Sequence, residues 1–405
     1  MQMSHICNLH QITKFLMQTT IESLFPELIE HRRHIHRNPE LSFKEFKTTQ
    51  YIEDFLKPLG YEIHRPLETG LVAVLIPKVL SKRIIAFRAD IDALPIEEQG
   101  SYKQAFISET KGVAHCCGHD MHTANLMGLA KLLSERKTEI QHKIVLIFQP
   151  GEEKLPGGGK LLMDNGILER LGVTEIYGLH TSPKFPVGKI ALKNGPLMAR
   201  PDEFLLNILG KGGHAAAPHE AVDPIVIAAQ VITTIQSIAS RVVDPTEPAV
   251  VTVGAIHAGM AHNVIPERVE MMGTIRTFRT ELAEKIASTI EKTAKGIAQA
   301  FGGDAELIFS PGYPPVINTV ETTDFVRSLI TKSLGENAII ELEKPIMAGE
   351  DFAFYQEKIP GTFFFLGSGS DETESIYPWH HPKYNADECA ILHGCKVFLE
   401  IALSK

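Results

Sequence analysis

The chain has 405 residues, of which 44% are hydrophobic and 22% are charged, and its formal net charge at pH 7 is -9. This length exceeds what one hydrophobic core usually supports, so the composition indicates a globular protein of two domains. The negative charge argues against a nucleic-acid-binding protein, and no stretch approaches the ~18 consecutive apolar residues that a membrane span needs.

The N-terminus and the cysteines favour a cytoplasmic protein. Residues 1–20 are a poor match to a signal peptide because polar residues interrupt them, and we interpret them as a disordered extension. The five cysteines are an odd number, with two of them adjacent, which is not the pattern of a disulfide framework. We therefore expect a reducing compartment.

The next part of the chain alternates helix and strand patterns. We predict, in chain order, helices over 21–36 and 43–59, strands over 71–76 and 84–87, a helix over 123–134 and a strand over 144–148. This alternation indicates an α/β domain with a largely parallel sheet. Ligands collect at the carboxyl ends of such strands. Several ionisable residues directly follow apolar runs there: Asp90, Asp92, Glu152, Glu153 and His180.

Residues 115–122 read His-Cys-Cys-Gly-His-Asp-Met-His. Imidazole and thiolate side chains bind borderline-soft divalent metals. Cys117 and His119 are the first candidates, because the single residue between them lets both side chains converge. Cys116 is expected to face the core as a small apolar residue. The alternative is a turn with incidental polar residues.

Glu152 and Glu153 follow the predicted strand 144–148. Neighbouring side chains on an extended backbone point to opposite sides, so one carboxylate could bind a metal while the other accepts a proton from water. The alternative is a pair of solvated surface carboxylates. Later in the chain, His380 and His381 offer another imidazole ligand.

A different pattern starts near residue 199. Strands are predicted over 204–209, 249–258 and 268–278, and helices over 223–240 and 281–301. This order is typical of a ferredoxin-like α+β sandwich. We predict that residues 199–303 form a domain inserted into a larger one made of 21–198 and 304–405.

Two glycine-rich segments do not match phosphate-binding loops. Residues 210–215 nominally fit a dinucleotide fingerprint, but Pro218 lies before the start of the following helix. Residues 157–160 lack the spacing and the Ser/Thr of a P-loop. Dehydrogenase and NTPase functions are therefore not favoured.

Taken together, these motifs resemble the amidohydrolase branch of the aminoacylase and carboxypeptidase metallopeptidase family. That branch contains hippurate hydrolases, N-acyl-amino-acid amidohydrolases and auxin-conjugate hydrolases. The matching motifs run from about residue 31 to the C-terminus: HRNPELSF (36–43), RADIDALP (88–95), CGHDMHT (117–123), FQPGEE (148–153), GGHAAAPH (212–219), NVIP (263–266) and GEDF (349–352).

The resemblance implies an α/β, zinc-peptidase-like catalytic domain and an inserted ferredoxin-like lid that mediates homodimerisation. It implies two divalent metal ions per subunit, zinc or manganese, with cobalt as a further option. The ligands carried over are Cys117, His119, Glu153, His180 and His380. Glu152 would be the general base. Asp92 would orient a ligand, because Asp90-Ile91-Asp92 replaces the wider family's His-x-Asp motif.

In the lid, the resemblance implies that His214 reaches the partner subunit's active site and polarises the scissile carbonyl. It also implies that Asn263 and Arg276 bind substrate, with Arg276 able to hold a carboxylate bidentately.

The function implied is metal-dependent hydrolysis of small N-acyl-L-amino acids to a carboxylic acid and an amino acid, with no nucleic-acid or membrane partner. The alternatives are a dipeptidase or carboxypeptidase, an N-acetyl-diaminopimelate deacetylase, and a non-catalytic metal-binding protein. An intact Glu152 argues against the last of these, because metal storage needs no free base.

Overall fold

The computed structural model describes residues 20–77 and 81–404. The extension predicted for residues 1–20 lies outside these residues, except for Thr20. The helices, in chain order, are α1 (Ile21–Arg37), α2 (Phe46–Leu56), α3 (His119–Glu135), α4 (Gly158–Asn165), α5 (Ile167–Leu171), α6 (Pro224–Arg241), α7 (Thr280–Ala300), α8 (Val320–Leu334), α9 (Ala353–Gln356) and α10 (Ala390–Leu403).

The strands, in chain order, are β1 (Glu62–His64), β2 (Leu71–Leu75), β3 (Ile84–Asp90), β4 (Lys143–Gln149), β5 (Glu175–Pro186), β6 (Ile190–Leu192), β7 (Gly195–Met198), β8 (Arg200–Leu209), β9 (Gly213–His214), β10 (Val250–Ala258), β11 (Val264–Ile265), β12 (Arg268–Thr277), β13 (Asp304–Ser310), β14 (Val316–Asn318), β15 (Ile339–Glu341) and β16 (Gly361–Gly369).

The chain divides into two compact units. Among the described residues, the first unit contains those up to Gly195, together with Asn318–Glu343 and those from Phe354 onward. The second contains Pro196–Ile317 and Lys344–Ala353. None of the helices within the described residues is long and apolar enough to span a membrane.

The first unit is built on an eight-stranded sheet with the order β1-β2-β4-β3-β5-β16-β6-β15. Its centre is parallel: β4 pairs with β3, β3 with β5, and β5 with β16 in that sense. All five residues of β2 are buried, and so are the last six of β4. Such continuous apolar runs are expected of strands covered on both faces. The predicted α/β class is confirmed.

Helix α3 crosses the core of this unit, and most of its side chains are buried. It begins at His119, four residues before the predicted start. The reason is Gly118, whose left-handed backbone (φ 96°) forms the N-cap. The bounds of helix α1 agree closely with the prediction, and a capping box between Thr20 and Ser23 caps its N-terminus.

The second unit contains an antiparallel sheet with the order β10-β12-β8-β13. Helices α6 and α7 pack on it, and their apolar side chains form a separate core with Leu206, Ile208 and Met271. The chain order β8-α6-β10-β12-α7-β13 is that of a ferredoxin-like unit. This unit extends past residue 303, where the sequence analysis placed its end, because β13 pairs with β8 along its length.

Candidate metal centre

The turn before α3 brings Cys117 and His119 into the interior of the first unit. Both side chains are buried, with 7% and 1% exposure. Gly118 between them has φ 96°, and a Cβ atom there would lie 2.3 Å from Thr181 Oγ1 and 2.6 Å from Tyr384 Oη. The tight turn that carries both side chains therefore requires glycine.

The residues that the sequence analysis singled out as ligands lie together. Three overlapping groups have ligand atoms that all lie within 4.8 Å of one another: Cys117, His119 and His180; Cys117, Glu153 and His380; and His119, Glu152 and Glu153. Within these groups, His380 Nε2 lies 3.1 Å from Glu153 Oε1, and Cys117 Sγ lies 3.3 Å from His180 Nε2. Groups that share members are the arrangement expected for two neighbouring ions.

Hydrogen bonds fix which nitrogen each buried histidine presents. Nδ1–H of His119 donates to the backbone oxygen of Asp92 at 2.9 Å and to its Oδ1 at 3.1 Å. Nδ1–H of His180 donates to the backbone oxygen of Thr181 at 2.8 Å. Since the acceptors are oxygens, Nδ1 carries a proton in both rings, and Nε2 is the nitrogen that each ring presents to the cluster.

Two buried atoms at the centre lack hydrogen bonds. His119 Nε2 and Glu153 Oε1 lie 3.9 Å apart, and neither makes a hydrogen bond of normal geometry within the described residues, although His380 Nε2 lies 3.1 Å from Glu153 Oε1. Buried polar atoms are almost always paired. An imidazole nitrogen and a carboxylate oxygen that face each other without a hydrogen bond between them fit a bound cation, so these residues suit a divalent metal.

Asp92 lies directly behind the cluster. Besides accepting from His119, it accepts through Oδ2 from Ser42 Oγ–H at 2.7 Å and from the backbone N–H of Glu153 at 3.0 Å. Burial acts to raise the pKa of Asp92, but the hydrogen bond and the charge of His119, followed by those other two bonds, hold that pKa below its ordinary value. Asp92 is therefore an ionised carboxylate that touches two of the candidate ligands.

The local charges favour a cation at this point. Burial alone would lower the pKa of His119, but Asp90, Asp92 and Glu153 outweigh it and raise that pKa to about 10, so a metal ion bound at Nε2 would displace a proton from that nitrogen. Burial, followed by the charges of Glu153, Glu152 and Asp90, raises the pKa of the Cys117 thiol well above its usual value. A metal ion at Sγ would reverse the second effect, since a coordinated thiol is deprotonated.

His380 reaches the cluster from an unusual backbone position. Its φ is 64°, and its backbone N–H donates to the carbonyl oxygen of Cys116 at 2.8 Å. His381 lies differently: its ring stacks on Tyr377 with centroids 4.7 Å apart, and its Nδ1 accepts from the N–H of Lys383. His380 is thus the member of the pair that meets Glu153. Its side chain is 54% exposed, so the cluster opens to solvent on this side.

Asp90 was predicted to lie at a strand end where ligands collect, but neither Asp90 nor His122 was assigned a specific role from the sequence. The structure joins them: His122 Nδ1 lies 2.6 Å from Asp90 Oδ1, and Asp90 Oδ2 lies 3.7 Å from His119 Nε2. The available signal was the three-residue spacing from His119 to His122, which puts both on one helix face. The contact with Asp90 depends on how the end of β3 meets α3, which that spacing does not reveal.

The remaining predicted residues lie in the second unit. His214 is on β9, which pairs with β11, and the backbone oxygen of Asn263 accepts from the N–H of Ala215 at 3.1 Å. These two residues are neighbours. Arg276 is on β12 and lines a groove of about 480 Å³ on the sheet together with Glu203 and Met272. The pKa of Arg276 is below its ordinary value, mainly because burial disfavours the charged guanidinium.

The chain is similar to several characterised proteins over most of its length. It is 40% identical to the N-acetylcysteine deacetylase of Bacillus subtilis, an alignment that covers 93% of this chain and 96% of that one. It is 43% identical to the N-acyl-L-amino acid amidohydrolase of Geobacillus stearothermophilus over 76% of this chain and 82% of that one.

The fold also matches a solved structure, that of a dinuclear metal-binding peptidase of the M20 family from Bacillus subtilis. The TM-score is 0.81 and the identity 37%, and the match covers 94% of this chain and 98% of that one. Residues 86–404 match the family model described as Peptidase family M20/M25/M40. With the ligand-type side chains gathered at one point of the first unit, the chain belongs to Peptidase family M20/M25/M40.

Proposed function

We propose that the protein hydrolyses the amide bond of N-acyl-L-amino acids, using two divalent metal ions, and releases a carboxylic acid and a free amino acid. Membership of the family makes it a hydrolase that acts on amide bonds. The observation that carries the finer proposal is the cluster itself. Five ligand-type side chains converge there, and a sixth, Glu152, lies beside them and is not required as a metal ligand.

Two ions would share the cluster. We assign His119 and His180, through Nε2, and Cys117, through Sγ, to the ligand shell. Glu153 and His380 complete it. Thiolate ligation favours zinc, and manganese and cobalt are the other candidates. When bound, a pair of such ions lowers the pKa of water and polarises a carbonyl oxygen.

Glu152 is the proposed general base. It is buried, with 7% exposure, and lies within 4.8 Å of the ligand atoms of His119 and Glu153. It takes a proton from the water that attacks the acyl carbonyl, and then passes this proton to the leaving nitrogen, so that the products are an acid and an amine. Its neighbour Glu153 contacts His380 instead. We therefore assign Glu152 as the base and Glu153 as a metal ligand.

His214 is the proposed electrophile for the acyl carbonyl. The N–H of Ala216 donates to His214 Nδ1 at 3.1 Å, so the ring proton is on Nε2, and the exposed ring can donate it to an oxygen. Such a donor would stabilise negative charge that develops on the carbonyl oxygen. We propose that it acts in the partner's site of a homodimer formed through the second unit.

Substrate recognition is assigned to the same unit. Arg276, half-buried in its groove, has a guanidinium suited to a free α-carboxylate. Asn263, adjacent to His214, is assigned to the acyl amide. A free α-carboxylate next to an amide is the feature that all N-acyl amino acids share.

A substrate panel tests this function. Metal-free protein would be loaded with Zn²⁺, Mn²⁺ or Co²⁺ and given N-acetyl, N-benzoyl and indole-acetyl amino acids, N-acetyl-diaminopimelate, and unblocked dipeptides. We expect release of free amino acid from the N-acyl-L-amino acids and little from the dipeptides. If dipeptides were cleaved faster than N-acyl-L-amino acids, the protein would be a peptidase and the proposal would be wrong. If N-acetyl-diaminopimelate were the preferred substrate, the protein would be an N-acetyl-diaminopimelate deacetylase.

A further inference from the structure

A buried chain of hydrogen bonds lies beneath the candidate metal cluster. His122, Asp90, Thr181 and Tyr384 are each at most 1% exposed. Tyr384 Oη lies 3.1 Å from Thr181 Oγ1, which lies 3.0 Å from His122 Nε2, and His122 Nδ1 lies 2.6 Å from Asp90 Oδ1. Arg88 closes the chain by donating to Asp90 Oδ2 at 2.6 Å.

The direction of these bonds follows from one backbone group. The N–H of Thr181 donates to His122 Nε2 at 2.8 Å, and an amide nitrogen can only donate. His122 Nε2 is therefore an acceptor, and its ring proton is on Nδ1, from which it donates to Asp90. The Thr181 hydroxyl donates to the same Nε2 and accepts from the Tyr384 hydroxyl.

His122 therefore has no lone pair left for a metal. Asp90, His119 and His122 lie close enough together to form a ligand group. Of these three, however, His122 uses one nitrogen for Thr181 and the other for Asp90. Its part in the site must be indirect.

This series of hydrogen bonds connects the two segments of the protein that carry three of the proposed ligands. Thr181 directly follows His180 on β5, and its carbonyl oxygen receives the Nδ1–H of that histidine. His122 is one turn into α3, beyond Cys117 and His119. Gly118, between those two, packs so closely on Thr181 and Tyr384 that a Cβ atom would overlap both hydroxyls.

We propose that His122 is a positioning residue: because its Nε2 accepts from both the backbone N–H and the hydroxyl of Thr181, it sets the separation between His180 and the Cys117–His119 turn and so prepares the site for metal. This inference rests on the proposed function, because it takes these three residues as ligands. Hydrogen-bonding partners behind metal ligands typically change metal affinity by about 10- to 100-fold when removed.

Two substitutions separate the two contacts of His122. In His122→Gln, the side-chain carbonyl reaches the position of Nε2 and can still accept from Thr181. In His122→Asn, the shorter amide reaches the position of Nδ1 and can still donate to Asp90. It is too short to reach Thr181. The matched control is His142→Asn, which replaces another buried histidine, one bonded to Ser81 and to the backbone of Ser404.

The measurement is a Co²⁺ titration of each metal-free protein, with affinity from chelator competition and geometry from the thiolate-to-cobalt absorbance band. We expect His122→Asn to bind Co²⁺ roughly 10- to 100-fold more weakly, with an altered band. His122→Gln should stay close to the wild type, and His142→Asn should lose thermal stability only. A merely structural role for His122 would leave the band unchanged.

Equal affinity and an unchanged band in His122→Asn would overturn the inference, and so would equal losses in the Asn and Gln variants. A wild type that binds no Co²⁺ would instead contradict the proposed function. Should His122→Asn not fold, Thr181→Val and Thr181→Ser carry the test, since only serine keeps the hydroxyl. We expect Thr181→Val to bind Co²⁺ more weakly than Thr181→Ser. Identical Co²⁺ affinity of the two variants would overturn the inference.

Discussion

The Nε2 atom of His180 lies 3.3 Å from the Sγ atom of Cys117, although 63 residues separate them. Both side chains are buried, and the other ring nitrogen of His180 is occupied by the backbone oxygen of Thr181. A thiol and an imidazole lone pair held at this distance form the two sides of a site for a soft or borderline cation.

Cys117→Ala should prevent full metal loading. Loss of the thiolate removes the ligand that two of the candidate groups share, so we expect fewer than two ions per subunit by elemental analysis. Cys395→Ala, which removes another buried thiol, is the control and should keep the wild-type metal content. A full complement of metal in Cys117→Ala would show that the thiolate is not a ligand.

Glu152→Gln and Glu153→Gln should fail in different ways. Glu152→Gln removes a proton acceptor but keeps size and polarity, so metal should stay bound while kcat falls by about 100- to 10,000-fold. Glu153→Gln removes a charged ligand atom that faces His119 and His380, so metal content itself should fall. Steady-state kinetics and elemental analysis of both proteins check this. Near-normal turnover in Glu152→Gln, or full metal content in Glu153→Gln, would reverse the assignment.

Gly118→Ala should be more destabilising than Gly195→Ala. Both glycines have left-handed backbones, with φ of 96° and 73°, so alanine strains each by roughly 1–2 kcal/mol. Only at Gly118 does the added Cβ meet other atoms, whereas nothing lies within 4 Å at Gly195. Overpacking should add about 1–3 kcal/mol there. Thermal unfolding of the metal-free proteins measures the difference, and equal midpoints would mean that the turn relaxes without cost.

Mixed dimers should recover activity from two inactive variants. If His214 acts in the partner's site, a heterodimer of His214→Ala and Glu152→Gln has one site with both defects and one with neither. Random assortment makes half the dimers mixed, so activity should return to roughly a quarter of the wild type, with independent sites assumed. Tagged heterodimers purified to homogeneity make the readout direct. Absence of recovery in them would put His214 in its own subunit's site, and a monomer in solution would end the proposal.

The local parts of the fold were predictable from the sequence. The strands expected at 71–76, 84–87 and 144–148 are β2, β3 and β4, because each is a continuous apolar run; Gly70 and Pro77 bound the first, and polar residues bound the other two. The order of the sheet was not predictable, since β6 lies between β16 and β15, two strands that come much later in the chain. The end of the second unit was placed too early, because the glycines after α7 precede a further strand of the same sheet.

The members of the candidate site were found from motifs, but their arrangement was not. Side-chain chemistry and spacing pointed to Cys117 and His119, which share one turn. The contact of Asp90 with His122 spans 32 residues, and it exists only because α3 packs over the end of β3. The tautomers of His119 and His180 likewise depend on backbone oxygens, whose positions the sequence does not encode locally.

The most direct test of the proposed metal-dependent amidohydrolase is the rate of free amine release from an N-acyl-L-amino acid such as N-acetyl-L-cysteine, followed through metal removal and return. We predict that chelated wild-type protein, verified metal-free by elemental analysis, releases no amine. Two equivalents of Zn²⁺, Mn²⁺ or Co²⁺ should restore release in the wild type but not in Glu152→Gln. Full activity of the metal-free protein, or equal restoration in Glu152→Gln, would contradict the account.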